Sequence, residues 1–346
     1  MKWIVTILIV LTCFLCVSAE ESILDKQLEI RQANLDTLTK TLEVGMDATI
    51  AYVEEIGGDA SELESKKAAF LAKRETLRDA SNHEILNAGV NELNEQLKSF
   101  NQLADSIVKG NPDGVPATWL LQVLAALKEN EGPINDLKDE YWSIKQTNVL
   151  EIYDEQLAGI NELADLIEAS GWDMDQIDAK VSKLEELKTD LTDALDSKVE
   201  LQVVAVQVKI LGTATELVNV GAPGLVWAYS ADIIQFWINV ATAALDSIDK
   251  IITELDNQGL PTGDLREIHT GALGHLEDLE DAYDEKDVLK AQEALEDLEQ
   301  DWIDFVQELN SLKPKVDAAY QQKLESVITA LQENQQQLVQ DKGELQ

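Results

Sequence analysis

Apolar positions recur at helical spacing along almost the whole chain. Leu24, Leu28, Leu35, Leu38 and Leu42 mark one side of a predicted helix over residues 22–56, because residues three, four and seven apart share a helix face. The strict alternation that would mark strands is absent. A second helical stretch spans about residues 60–78. A third follows Ser81-Asn82-His83-Glu84, where Ser81 and Glu84 stand in capping-box positions. It carries Leu86, Leu93, Leu97 and Phe100 and ends near Gly110. Asn111-Pro112-Asp113-Gly114 reads as a turn. Residues 116–130 read as a short helix containing Trp119, Leu120, Leu121, Val123 and Leu124. The pattern predicts an all-α protein.

The pattern also repeats. Gly57, Gly171 and Gly259 each separate two helical stretches, and the 23 residues that follow run without a gap to Asp79-Ala80, Asp193-Ala194 and Asp281-Ala282. Four residues before each Gly stand Val53, Ile167 and Leu255; seven before, Ile50, Ala164 and Ile252; eleven before, Met46, Ile160 and Ile248. Six after come Leu63, Ile177 and Leu265, and twenty after come Leu77, Leu191 and Leu279. Leu103, Leu217 and Phe305 continue the register. A period of this kind is the signature of stacked helical units. Each unit reads as a long helix closed by Gly, a middle helix, and a third helix after Asp-Ala. Pro133, Pro223 and Pro314 are read as openings of long helices, where a missing N–H costs nothing.

The expected organisation is a signal peptide at 1–19, a first unit at 20–110, an inserted short helix and linker at 111–132, a second unit at 133–221, a third at 222–312 and a C-terminal helix at 313–346. Lys2, the apolar run Trp3–Val17 and Val17-Ser18-Ala19 have the layout of a cleavable secretory signal. Both cysteines, Cys13 and Cys16, lie inside it. The remaining chain then holds no disulfide, thiolate metal site or Cys nucleophile. It carries 26 basic residues against 66 acidic ones, a net charge of about −40. Such a charge argues against nucleic acid, whose binding requires neutralised phosphates, and against anionic membrane surfaces. It fits the solvated helix faces of an exported protein.

Candidate chemistry is sparse. His269 and His275, six apart on one predicted helix, point in different directions, and His83 is remote in sequence. The carboxylate groups Asp173-Asp175-Asp178 and Asp278-Asp281-Asp284-Asp287 lack the bent loop and ligand spacing of a calcium site. Phosphate-cradling loops and nucleophile elbows are absent. The sequence reading therefore assigns no catalytic, cofactor-binding or metal-binding residue, names no cofactor, and expects a non-enzyme.

The apolar centre is the exception to this polar picture. Residues 199–218 and 225–245 flank Gly221-Ala222-Pro223-Gly224 like two arms of a hairpin, with Trp227, Tyr229, Phe236 and Trp237 on the second arm. Gln202, Lys209, Thr213 and Glu216 form a polar stripe on the first arm, and Asp232, Gln235, Asn239 and Asp246 on the second. Two readings stand side by side. In one, the arms are middle helices of the stack, covered on both sides. In the other, they span a bilayer, and the layout resembles the hemolysin-BL-like α-pore-forming toxins, which are exported, cysteine-poor and all-helical. Leu279-Glu280-Asp281-Ala282 followed by a polar turn is also similar to acidic helical-repeat proteins of prokaryotic surfaces. That resemblance implies a secreted or cell-surface scaffold acting through protein–protein contacts or self-association. The alternative is a membrane-inserting protein using the 199–245 hairpin.

Overall fold

The computed structural model describes residues 20–345; the expected signal segment lies outside them. Among the described residues the chain is all-α, with ten α-helices, one short 3-10 turn and no strand. In chain order the helices are α1 (Glu20–Glu55), α2 (Ser61–Arg78), α3 (His83–Gly110), α4 (Pro116–Glu129), α5 (Glu131–Ala169), α6 (Asp175–Asp196), α7 (Glu200–Asn257), α8 (Gly263–Asp284), α9 (Val288–Leu312) and α10 (Ala318–Leu345).

The three glycines end α1, α5 and α7 in the same way. Gly57, Gly171 and Gly259 have φ of 73°, 76° and 75°, a region open to Gly without a Cβ penalty. Gly57 N donates to Glu54 O at 2.9 Å and Gly58 N to Val53 O at 2.8 Å; Gly259 N donates to Asp256 O at 2.8 Å and Leu260 N to Leu255 O at 3.2 Å. Both pairs form the Schellman arrangement that satisfies the last helical carbonyls. The next helix is started by Asp two residues on. Asp59 Oδ1 accepts from Ser61 N at 3.0 Å, and Asp173 Oδ1 from Asp175 N at 3.0 Å. The third copy has Pro261 there, and Asp256 instead accepts from Thr262 and Arg266. Those hydrogen bonds, the Thr262 one foremost, hold its carboxyl below the usual value.

The second and third copies share one further backbone feature, which the first lacks because Glu84 lies inside α3. Lys198 and Lys286, each 27 residues after its Gly, adopt φ of 53° and 57°. They end α6 and α8 in the left-handed region, which is strained for a side chain. The six positions read as core are all buried: Leu63, Ile177 and Leu265, and Leu77, Leu191 and Leu279. Trp302 and Phe100, 43 residues after their glycines, are buried as well.

Three expectations are corrected. The cap of α3 is Asn82, not Ser81: Asn82 is extended and its Oδ1 accepts from Ile85 N at 2.9 Å, which leaves no capping box. Pro314 sits in the 3-10 turn Lys313–Lys315, ahead of α10. Gly221-Ala222-Pro223-Gly224 forms no loop, because α7 runs through it as a 58-residue helix containing Pro223. Gly224 serves close packing there, whereas a Cβ at Gly221 would make only ordinary contact. A Cβ on Gly224 would lie 2.7 Å from Ile167 Cγ2 and 2.8 Å from Trp172 Cδ1, and one on Gly221 would lie 3.9 Å from Ile167 Cδ1. Trp227 Nε1 donates to Ser170 O at 3.1 Å beside them. Pro223 is exposed, so its ring faces solvent.

Grouped by backbone proximity, the described chain forms two compact units: residues 20–159 with 183–212, and residues 160–182 with 213–345. Helices α5, α6 and α7 contribute residues to both. In the first unit Met46, Tyr52, Val53, Leu63, Phe70 and Phe100 anchor one core, and Tyr153, Leu191, Leu195 and Val203 a second. In the other unit Trp237, Ile248, Leu279, Leu298, Trp302 and Leu338 join the later part of α7 to α8, α9 and α10. Trp237 and Trp302 lie 5.7 Å apart between ring centroids, and Trp237 Nε1 donates to Asp341 Oδ2 at 3.0 Å.

Candidate functional sites

The acidic groups are used in folding. Asp173 starts α6, as above, and Asp287 Oδ1 accepts from Leu289 N and Lys290 N, both at 3.1 Å, at the start of α9. Among the described residues no group of three or more His, Cys, Asp or Glu is placed to hold a metal ion. Each histidine has a separate partner. His83 Nε2 meets Leu24 O at 3.1 Å, His269 Nε2 meets Leu245 O at 3.2 Å, and His275 Nδ1 meets Asp301 Oδ2 at 2.7 Å. The hydrogen bond to Asp301 raises the His275 pKa against an opposing effect of burial, with Asp297 and Asp278 adding to the rise. Burial pushes Asp301 up despite its His275 partner.

A charged cluster fixes the start of α7. Glu200 accepts from Lys145 Nζ and from the Tyr141 hydroxyl. Lys145 Nζ also stands 4.8 Å from the Trp142 ring centroid, a cation–π distance. Burial works against the Glu200 carboxylate, but the hydrogen bonds from Lys145 and Tyr141 outweigh it and leave its pKa lowered. Burial, then Glu200, pushes the Tyr141 phenol up.

From Glu200 onward one face of α7 is buried and the opposite face is open. Val203 and Val206 pack with Tyr153, Leu191 and Leu195. Leu201, Val204, Val208 and Leu211 are 79%, 49%, 63% and 68% exposed. Their three-four-three spacing places them on one stripe, the geometry of a coiled-coil seam. The expectation that this part of the chain is covered on both sides is therefore corrected. No acidic residue occurs between Leu201 and Thr215. Lys209 and Glu216 of the polar stripe are engaged at the flanks, Lys209 at 3.8 Å from Asp190 and Glu216 with Lys180. Sequence reasoning found the apolar stretch but not which side of it faces solvent, since both sides are apolar.

The inserted helix α4 forms a different feature. It lies over α1, with Tyr52 as its anchor: the hydroxyl accepts from Val115 N at 2.7 Å and donates to Val115 O at 3.0 Å. Trp119 Nε1 donates to Thr49 Oγ1 at 3.0 Å, and Gln122 Nε2 to Glu55 Oε2 at 2.7 Å. Between α1, α3 and α4 remains a cavity of about 450 Å³, whose walls include Leu42, Met46, Leu97, Phe100, Trp119 and Val123. The sequence signalled α4, through Pro116 and its leucines, but gave no sign of the space beneath it.

Comparison with family models, with curated proteins and with solved structures found no match to this chain.

Proposed function

We propose that this protein is an exported, non-enzymatic helical scaffold, built from three related helical modules, that pairs with other protein through the open face of α7. The observation that carries the reading is the exposed stripe Leu201, Val204, Val208 and Leu211 on a stretch without acidic residues. An exposed apolar patch on a soluble surface marks an interaction site. The net charge makes most faces of two copies repel, and this stretch lacks that repulsion. Its seam-like spacing is self-complementary, so a second copy is a fitting partner. Four side chains make a small interface, which implies a weak association.

Cysteine-free sequence beyond residue 19 allows a clean test. A spin label on Val208→Cys should show label–label broadening that grows with protein concentration. Adding Leu201→Glu and Leu211→Glu should abolish it. A label that stays unbroadened at every concentration contradicts self-pairing at this face.

A second reading, insertion into a membrane, is favoured by one observation. Helix α7 is long and apolar enough to cross a bilayer by length and composition, and 11% of its most apolar window is buried. The hairpin that this reading began from is replaced by a continuous helix. Lys209, Glu216 and Asp232 would each cost about 2.5–3.5 kcal/mol near a membrane centre unless they lined water. The scaffold reading expects no dye release from liposomes; release that depends on α7 would promote the second reading.

A further inference from the structure

We infer that the cavity under α4 is a binding site for a neutral amphiphile, one with a single apolar tail and an uncharged, hydroxyl-rich head. The inference is independent of the α7 face. The cavity, at about 450 Å³, falls within the size range of small-molecule sites, and its walls are apolar and aromatic as such sites require. No wall residue is charged, in a chain where 27% of residues are. Protein interiors are otherwise packed densely, and this apolar space between three helices is left open to solvent on one side. Here the space is built in. The Tyr52–Val115 and Trp119–Thr49 hydrogen bonds fix α4 at its N-terminal end, and Gly45 leaves the floor bare where a Cβ would stand 3.8 Å from Val123 Cγ1. The site also coincides with the one segment that the other modules lack.

The head group follows from the rim. Leu97 and Asn101 border both the apolar cavity and a shallow depression on α3 lined by Asn94, Lys98, Gln102 and Asp105. A tail under α4 thus places its head over three amides, with one charge of each sign beside them. Amides donate to and accept from hydroxyl groups. A carboxylate head would also face the field of a chain with net charge −39. An uncharged polyol or sugar head matches this rim.

Isothermal titration of the purified protein with dodecyl maltoside, below its micelle concentration, tests the site, with dodecanoate and dodecyltrimethylammonium as charged-head arms. The expected result is one saturable site per chain for the maltoside, with dodecanoate at least tenfold weaker and dodecyltrimethylammonium no tighter than the maltoside. Gly45→Leu, which fills the cavity from α1, and Leu97→Trp, which fills it from α3, should each weaken maltoside binding at least tenfold. Thermal melts of both variants should stay cooperative and no lower than the parent for Gly45→Leu, which separates a blocked site from a lost fold. Asn101→Leu should weaken the maltoside while sparing the neutral apolar dye N-phenyl-1-naphthylamine. Absence of saturable binding by the parent, or unchanged binding by both filled variants, overturns the site. Tighter binding of either charged amphiphile overturns the head assignment.

Discussion

At the residue scale, the glycines and the core leucines carry most of the argument. Leu63, Leu265 and Leu279 are fully buried. Truncation of any one to Ala should lower stability by roughly 2–5 kcal/mol, read from denaturant midpoints, because the cavity collapses only in part. Lys198 offers the opposite sign. Its left-handed φ of 53° is costly for a side chain, and its ion pair with Asp139 is exposed. Lys198→Gly should therefore raise stability by about 0.5–1 kcal/mol. The His275–Asp301 pair sets a pH response. His275 has a raised folded pKa, so its contribution is complete below the unfolded value of 6.5 and is lost as pH rises through the folded one. Asp301, raised by burial, also loses stability as pH rises above 3.8. Urea midpoints should fall from pH 6 to pH 8, and His275→Gln should flatten that slope. These residues were legible to different degrees. The helix-ending glycines and the leucines announce themselves by spacing, whereas His275 and Asp301, 26 residues apart on two successive helices, have no local signature.

At the scale of elements, α7 teaches the most. Gly-Ala-Pro-Gly is a loop signal by every local rule, yet α7 passes through it. The determining facts are tertiary: Gly224 is buried against Ile167 and Trp172, where only a residue without a side chain fits. Gly224→Asp should therefore be strongly destabilising, read from thermal or denaturant midpoints. Pro223 inside the helix loses one hydrogen bond, so Pro223→Ala should stabilise by up to about 3 kcal/mol. A pair of spin labels at Glu216→Cys and Asp232→Cys reads the continuity directly. Sixteen residues of helix separate the two backbones by about 24 Å; a hairpin turning at 221–224 would bring them to about 10 Å, the spacing of packed helices. Helix α4 was legible as an element because Pro116 and its leucines are local signals. The cavity below it was not, since it depends on where Tyr52 and Trp119 fasten the helix.

For the molecule as a whole, acidity and apolar exposure have to be read together. A chain with net charge −39 keeps its copies apart over most of its surface. The stretch from Leu201 to Thr215 is free of acids and presents Leu201, Val204, Val208 and Leu211 to solvent. Sedimentation velocity tests that contrast most directly. The parent protein should show a sedimentation coefficient that rises with concentration at physiological salt, and Val208→Glu should sediment as a monomer throughout while melting as the parent does. A parent that remains monomeric over a hundredfold range of concentration, or a Val208→Glu protein that associates as the parent does, would contradict the assignment of this face.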